Sequence, residues 1–91
     1  MNIHMEPLML EKFDQTIEDG SVFRKFHFER VFYEKVLKYS VTLEGGTTFY
    51  MVKDNHGQWG FEHSVTGIDD SLEAVFENYI ILNESKQHSA S

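Results

Sequence analysis

From Val22 to Leu43 the chain runs twenty-two residues without a Gly, Pro, Asn or Asp. Its aromatic and β-branched density favours strands, although Phe28, Val31, Phe32, Val36 and Tyr39 also recur at helical spacing. The second half settles the choice by alternation. Leu37, Tyr39, Val41 and Leu43 fall on one side, and Lys38, Ser40 and Thr42 on the other, the period of 2 that a half-buried strand shows. Two strands follow, about 22–32 and 35–44, joined by a turn near Tyr33-Glu34 that no turn-forming residue marks.

The next turns are signalled openly. Gly45-Gly46 suits a two-residue hairpin turn, because both glycines accept positive φ. Asp54-Asn55-His56-Gly57 is a four-residue loop of turn formers. Strands at about 47–53 and 58–63 result. These turns pair Leu43 with Thr48, Val41 with Tyr50, Tyr39 with Val52, Val52 with Trp59 and Tyr50 with Phe61, while the turn at 33–34 pairs Phe28 with Tyr39 and Phe26 with Val41. The core face then holds Phe26, Phe28, Leu37, Tyr39, Val41, Leu43, Tyr50, Val52, Trp59 and Phe61. A slip of one residue in any pairing would invert a strand.

A helix covers that face. Asp70, or alternatively Asp69, caps it, with Glu73 completing a capping box. Leu72, Val75, Phe76, Tyr79, Ile80 and Asn83 trace its buried side. At the other end two readings stand. Residues 7–18 suit a short helix, with Pro7 at its first position, Gly20 beyond its end and an apolar stripe of Leu10, Phe13 and Ile17. Alternatively, Asp19-Gly20 is a hairpin turn fed by a strand at 10–18. The fold class is α+β: a four-stranded antiparallel meander with a C-terminal helix on one face and, in the first reading, an N-terminal helix. Residues 1–84 form a single domain and 85–91 a disordered tail, which leaves His4 and His88 in terminal segments.

Ninety-one residues suit one small core. The absence of cysteine excludes disulfides, thiolate zinc sites and cysteine nucleophiles together. No secretory signal and no apolar run near the membrane-spanning length of about 20 residues is visible, so the expectation is a cytoplasmic protein. Eight bases against fifteen acids leave a net charge of −7, which speaks against nucleic acid, whose affinity comes from neutralised phosphates. Residues 21–43 are nevertheless basic, with Arg24, Lys25, Arg30, Lys35 and Lys38 against Glu29 and Glu34. That segment could meet an acidic partner, including a second copy, or serve as plain solubilising charge.

No nucleotide-binding, zinc-protease or serine-hydrolase motif occurs. His27 and Glu29 share a strand face, a spacing open to a metal, but no third ligand converges on them, and Glu29 reads better as a cross-strand partner of Lys38. His63 falls beside Thr48 and Leu43 at the end of the core face, as a structural histidine or a pocket acid–base. Asp54 and His56 read as turn formers, and Asp69-Asp70 as helix capping. No catalytic residue, metal or cofactor is therefore expected. On the sheet's outer face, Phe49 and Met51 form an apolar patch beside His27 and Gly60. It is either an interaction site or a surface that the N-terminal helix covers.

The run Phe49-Tyr-Met51-Val-Lys53-Asp54-Asn-His-Gly57-Gln-Trp59, followed by an acidic amphipathic helix, resembles a pattern in small uncharacterised bacterial proteins. The resemblance covers about residues 39–83 and implies a bacterial source and a sheet-plus-helix layout, with no activity attached.

The leading functional expectation is a non-enzymatic protein–protein interaction module that self-associates as a homodimer, centred on Phe49, Met51 and His27, without nucleic acid or membrane partners. The alternative is a small-molecule binder whose pocket between helix and sheet is lined by Tyr39, Tyr50, Trp59, Tyr79 and His63. A third reading is a partner for a basic protein, using Glu73, Glu77 and Glu84 on the exposed side of the helix.

Overall fold

The computed structural model describes residues 8–63, 65, 68 and 70–89, with side chains through residue 87. His4, Pro7 and Asp69 lie outside the described residues. Among the described residues five strands, not four, form one antiparallel meander in the order β1-β2-β3-β4-β5. They are β1 (Leu8–Asp19), β2 (Val22–Tyr33), β3 (Val36–Leu43), β4 (Thr48–Lys53) and β5 (Trp59–Phe61), followed by the helix α1 (Asp70–Ser89).

The N-terminal segment takes the hairpin alternative and not the helix. Phe13 and Ile17, four residues apart, share a face under either period, so spacing alone could not decide between them. Pairing decides it: Phe13 faces Phe28, Ile17 faces Arg24, and Asp19 faces Val22 across a Gly20-Ser21 turn. Phe13 and Phe28 stack with ring centroids 4.9 Å apart. A register shift between Met9 and Glu11 leaves Leu10 as the extra residue of a bulge.

The turn between β2 and β3 is Glu34-Lys35, one residue later than expected, since Tyr33 pairs with Val36. Both turn residues take positive φ, at 50° and 66°, the left-handed pair of a type I′ turn built without its usual glycine. Phe28 therefore faces Val41, two places from the expected Tyr39. A shift of two keeps every side chain on its face, and Phe26, Phe28, Tyr39 and Val41 are fully buried.

The next two turns break the parity. Leu43 N–H donates to Thr47 O and Gly46 N–H to Leu43 O, so three residues, Glu44 to Gly46, form the loop. Gly45 supplies the positive φ of 95°. Val41 consequently faces Phe49 and Tyr39 faces Met51. The expectation of Phe49 and Met51 on the outer face is thus corrected: both are buried in the core, and Tyr50 and Val52 stand on the outer face in their place. The loop after β4 also takes three residues, Asn55 to Gly57, with Gly57 left-handed at 82°. Lys53 therefore pairs with Trp59 and Met51 with Phe61. The second inversion undoes the first, and Trp59 and Phe61 return to the face expected of them.

Phe76 of α1 is the hub of the core. Its ring lies 4.8 Å from Phe26, 5.8 Å from Phe28, 5.7 Å from Phe49 and 6.4 Å from Phe61, centroid to centroid. Leu72, Ile80 and Asn83 join it as buried residues, with Val75 and Tyr79 half-buried beside them, so the helical face read from spacing is the one that packs. The helix runs on to Ser89, through residues 85–89 that composition assigned to a tail. Gln87 explains part of that continuation, for its amide donates to Glu11 at 2.8 Å. No helix among the described residues is long and apolar enough to cross a membrane.

Candidate functional site

Three places gather polar or exposed apolar groups in a manner that could act on something else. The first is a polar network where the second half of α1 crosses β1, β2 and β3. Glu11, Arg30 and Tyr39 lie in line across the sheet, since Glu11 pairs with Arg30 and Arg30 with Tyr39. Arg30 Nε donates to Glu84 Oε2 at 2.6 Å, and the Tyr39 hydroxyl donates to the same oxygen. Asn83 Nδ2 donates to the Tyr39 oxygen at 2.8 Å and to Glu11 Oε1 at 3.1 Å. Burial, reinforced by the Glu84 hydrogen bond, pushes the Tyr39 phenol well above its ordinary value. Burial alone would raise the Glu84 carboxyl, but the Arg30 guanidinium and the Tyr39 hydroxyl outweigh it and hold Glu84 below the usual range. The polar atoms in this network satisfy one another, which suits locking the helix across the sheet rather than holding a ligand.

The second place lies on the outer face, where β1 supplies a group that the sequence did not foretell. Asp14 faces His27 across β1 and β2. Its Oδ1 sits 2.6 Å from His27 Nδ1, and Glu29 Oε2 sits 3.0 Å from Nε2. Asp14 reaches His27 because β1 is a strand paired with β2. The Glu29–Lys38 pair is corrected: the two-residue register shift sets Glu29 opposite Ser40, and Lys38 binds Glu62 at 2.7 Å. The hydrogen bond to Asp14, followed by the one to Glu29, raises the His27 pKa against the desolvation that would lower it. The two carboxylates engage opposite nitrogens of one ring, so they do not aim at a common point, and no cluster of three metal-ligating side chains occurs among the described residues. Both ring nitrogens face carboxylates, an arrangement that favours the protonated ring. Beside it lies an open depression of about 250 Å³ lined by Asp14, Lys25, His27, Thr42, Leu43, Glu44 and Gly45.

The third place is the edge of the sheet, and the two edges differ. Trp59 N–H donates to Glu77 Oε2 and Phe61 N–H to Glu73 Oε2, both at 3.1 Å. Residues four apart on a helix rise about 6 Å, close to the roughly 6.8 Å between alternate residues of a strand. Two carboxylates one turn apart thus match two successive outward donors of β5. This corrects the expectation that Glu73, Glu77 and Glu84 lie on an exposed side of α1, since all three are hydrogen-bonded to the sheet. At the opposite edge, no side chain among the described residues caps the twelve-residue β1. Its start is apolar and exposed: Leu8, Met9 and Leu10 are exposed, Leu8 pairs with the exposed Phe32, and Val36 is exposed at the start of β3. These residues gather at one end of the sheet.

The sequence-derived pocket does not assemble. Tyr39 and Trp59 meet edge to face at 5.3 Å, and Tyr79 packs against Phe28 at 6.3 Å. Tyr50, however, is on the outer face, where its ring lies 5.9 Å from the Lys38 ammonium. His63 follows the end of β5 with its side chain 88% exposed, because the strand stops at Phe61, two residues before the expected pairing could form. Asp54 does act as a turn former, its Oδ1 accepting from the backbone of His56 at 2.8 Å and Gln58 at 2.9 Å. No family model, curated protein or solved structure matches the chain.

Proposed function

We propose that the protein is a non-enzymatic protein–protein interaction module that associates with itself, and that the β1 edge with its apolar start is the surface it uses. The observation that carries this reading is the contrast between the two edges. An unpaired strand edge is a template for another chain, and proteins that must avoid pairing cover it. Here the three-residue β5 is capped by two carboxylates, while no side chain among the described residues caps the twelve-residue β1. The exposed Leu8, Met9, Leu10, Phe32 and Val36 add apolar area at the same place. The net charge of −7 disfavours nucleic acid as the partner. A bacterial cytoplasmic setting belongs to the same proposal, supported by the cysteine-free composition and by the hairpin resemblance.

Size-exclusion chromatography with light scattering tests it. The expected mass is twice the chain's 10.7 kDa at micromolar concentration and above, falling toward the single-chain mass on dilution. A mass of one chain across that range overturns the proposal.

A further inference from the structure

We infer that β1 pairs antiparallel with β1 of a second copy about a two-fold axis at Phe13, joining two five-stranded sheets into one. The inference rests on the self-association reading and specifies its partner surface. A two-fold axis perpendicular to the sheet keeps both helices on one side, so directly opposed residues must share a face. The axis then passes through a residue, and the charges of β1 discriminate among the choices.

Centring on Glu11, Lys12, Asp14 or Glu18 sets like charges opposite each other at the axis itself. Centring on Gln15 sets two Glu11–Asp19 repulsions against its two Lys12–Glu18 pairs, and centring on Thr16 opposes Asp14 to Glu18. Centring on Ile17 shortens the ladder and matches no opposite charges, and Leu10 is the bulge. Phe13 alone among these positions gives two Lys12–Asp14 pairs, one on each side of the axis, and no like-charge pair. Glu11 then faces Gln15, and Leu10 faces Thr16.

Surface chemistry agrees with that register. Lys12 and Asp14 are exposed on the outer face, and Lys12 makes no ion pair among the described residues. On the other face Phe13 is half-buried against the core through its stack on Phe28. Two such rings meeting at the axis would carry the aromatic core across the junction. Cross-strand pairs of opposite charge stabilise a ladder and like charges directly opposite destabilise it.

The test combines charge exchange with a distance. Lys12→Asp and Asp14→Lys, each alone, create two like-charge pairs and are expected to weaken the dimer by about tenfold in Kd at low salt and pH 8, while the double variant restores it. Circular dichroism confirms that each variant is folded. Because the chain has no cysteine, Thr16→Cys carries a single spin label on the exposed outer face. Position 16 lies opposite residue 10 of the partner, which places the two labelled backbones about 20 Å apart; axes at Lys12 or Asp14 give about 27 or 14 Å. A wild-type monomer overturns both this inference and the self-association reading. A dimer in which the single variants bind normally, the double variant fails to restore, or the distance fits another axis overturns the Phe13 register and leaves self-association standing.

Discussion

Glu84 ties α1 to two strands at once, for it takes hydrogen bonds from both Arg30 and Tyr39. Its carboxyl is held below the ordinary glutamate value of 4.5. A carboxylate with a depressed folded pKa contributes stability that is present above its unfolded pKa and lost as pH falls through the folded one. Stability should therefore decline on acidification below about pH 4.5, and Glu84→Gln should be less stable near neutrality with a shallower acid limb. Tyr39→Phe removes a donor to a charged acceptor and should cost about 1.5–3 kcal/mol. Fluorescence of the sole tryptophan, Trp59, 5.3 Å from the Tyr39 ring, reports both in urea titrations. If Glu84→Gln kept the wild-type acid limb, the network would not be the source of the pH dependence.

At the scale of elements, the Glu34-Lys35 turn holds the clearest strain, because two residues with Cβ atoms occupy the left-handed region. Asn-Gly is the pair that a type I′ turn favours, and left-handed backbone costs an ordinary residue roughly 1–2 kcal/mol. Glu34→Asn with Lys35→Gly should stabilise by about 1 kcal/mol, after the entropy glycine adds to the unfolded chain. The melting temperature would rise by about 4–8 °C for a domain of this size, and no rise would mean the turn is not strained. The same turn shows what the sequence could and could not convey. The existence of β2 to β5, the faces of β2 and β3 and the packed side of α1 were legible, because alternation and helical spacing are local and a two-residue slip preserves them; β1 was not, because the spacing of Phe13 and Ile17 fits a helix equally well. The face of β4 was not, because it depended on one residue of loop length at Gly45-Gly46. The signal that could have corrected the second loop was present in Asp54-Asn55-His56-Gly57, where a glycine in fourth place marks a three-residue loop with its left-handed residue last. The candidate site was less legible still. Asp14 reaches His27 only through a pairing thirteen residues away in sequence, and helical spacing could not show that Glu73 and Glu77 stand beside the edge of β5 rather than in solvent.

For the whole molecule, the unequal edges bear on how far association can proceed. A symmetric β1–β1 contact closes on itself and stops at two chains, but only if the outer β5 edges of the dimer are unavailable. Glu73 and Glu77 keep them so by occupying the Trp59 and Phe61 donors, and their charge sets two acidic groups against any strand that approaches. Replacing both with alanine frees the donors and removes that repulsion together. Leu72, Phe76 and Ile80, which hold α1 in the core, are untouched, so the helix should stay docked. Losing two charge-assisted hydrogen bonds at a partly exposed edge should cost about 1–3 kcal/mol in all. The larger effect should appear in light scattering: with β1 and β5 both open, dimers can add end to end, and the mass should grow with concentration instead of levelling off at two chains. Adding Lys12→Asp to that variant should shorten these assemblies by weakening the β1 contact within them. A Glu73→Ala, Glu77→Ala protein that kept the wild-type mass at every concentration would show that the carboxylates stabilise β5 without guarding it.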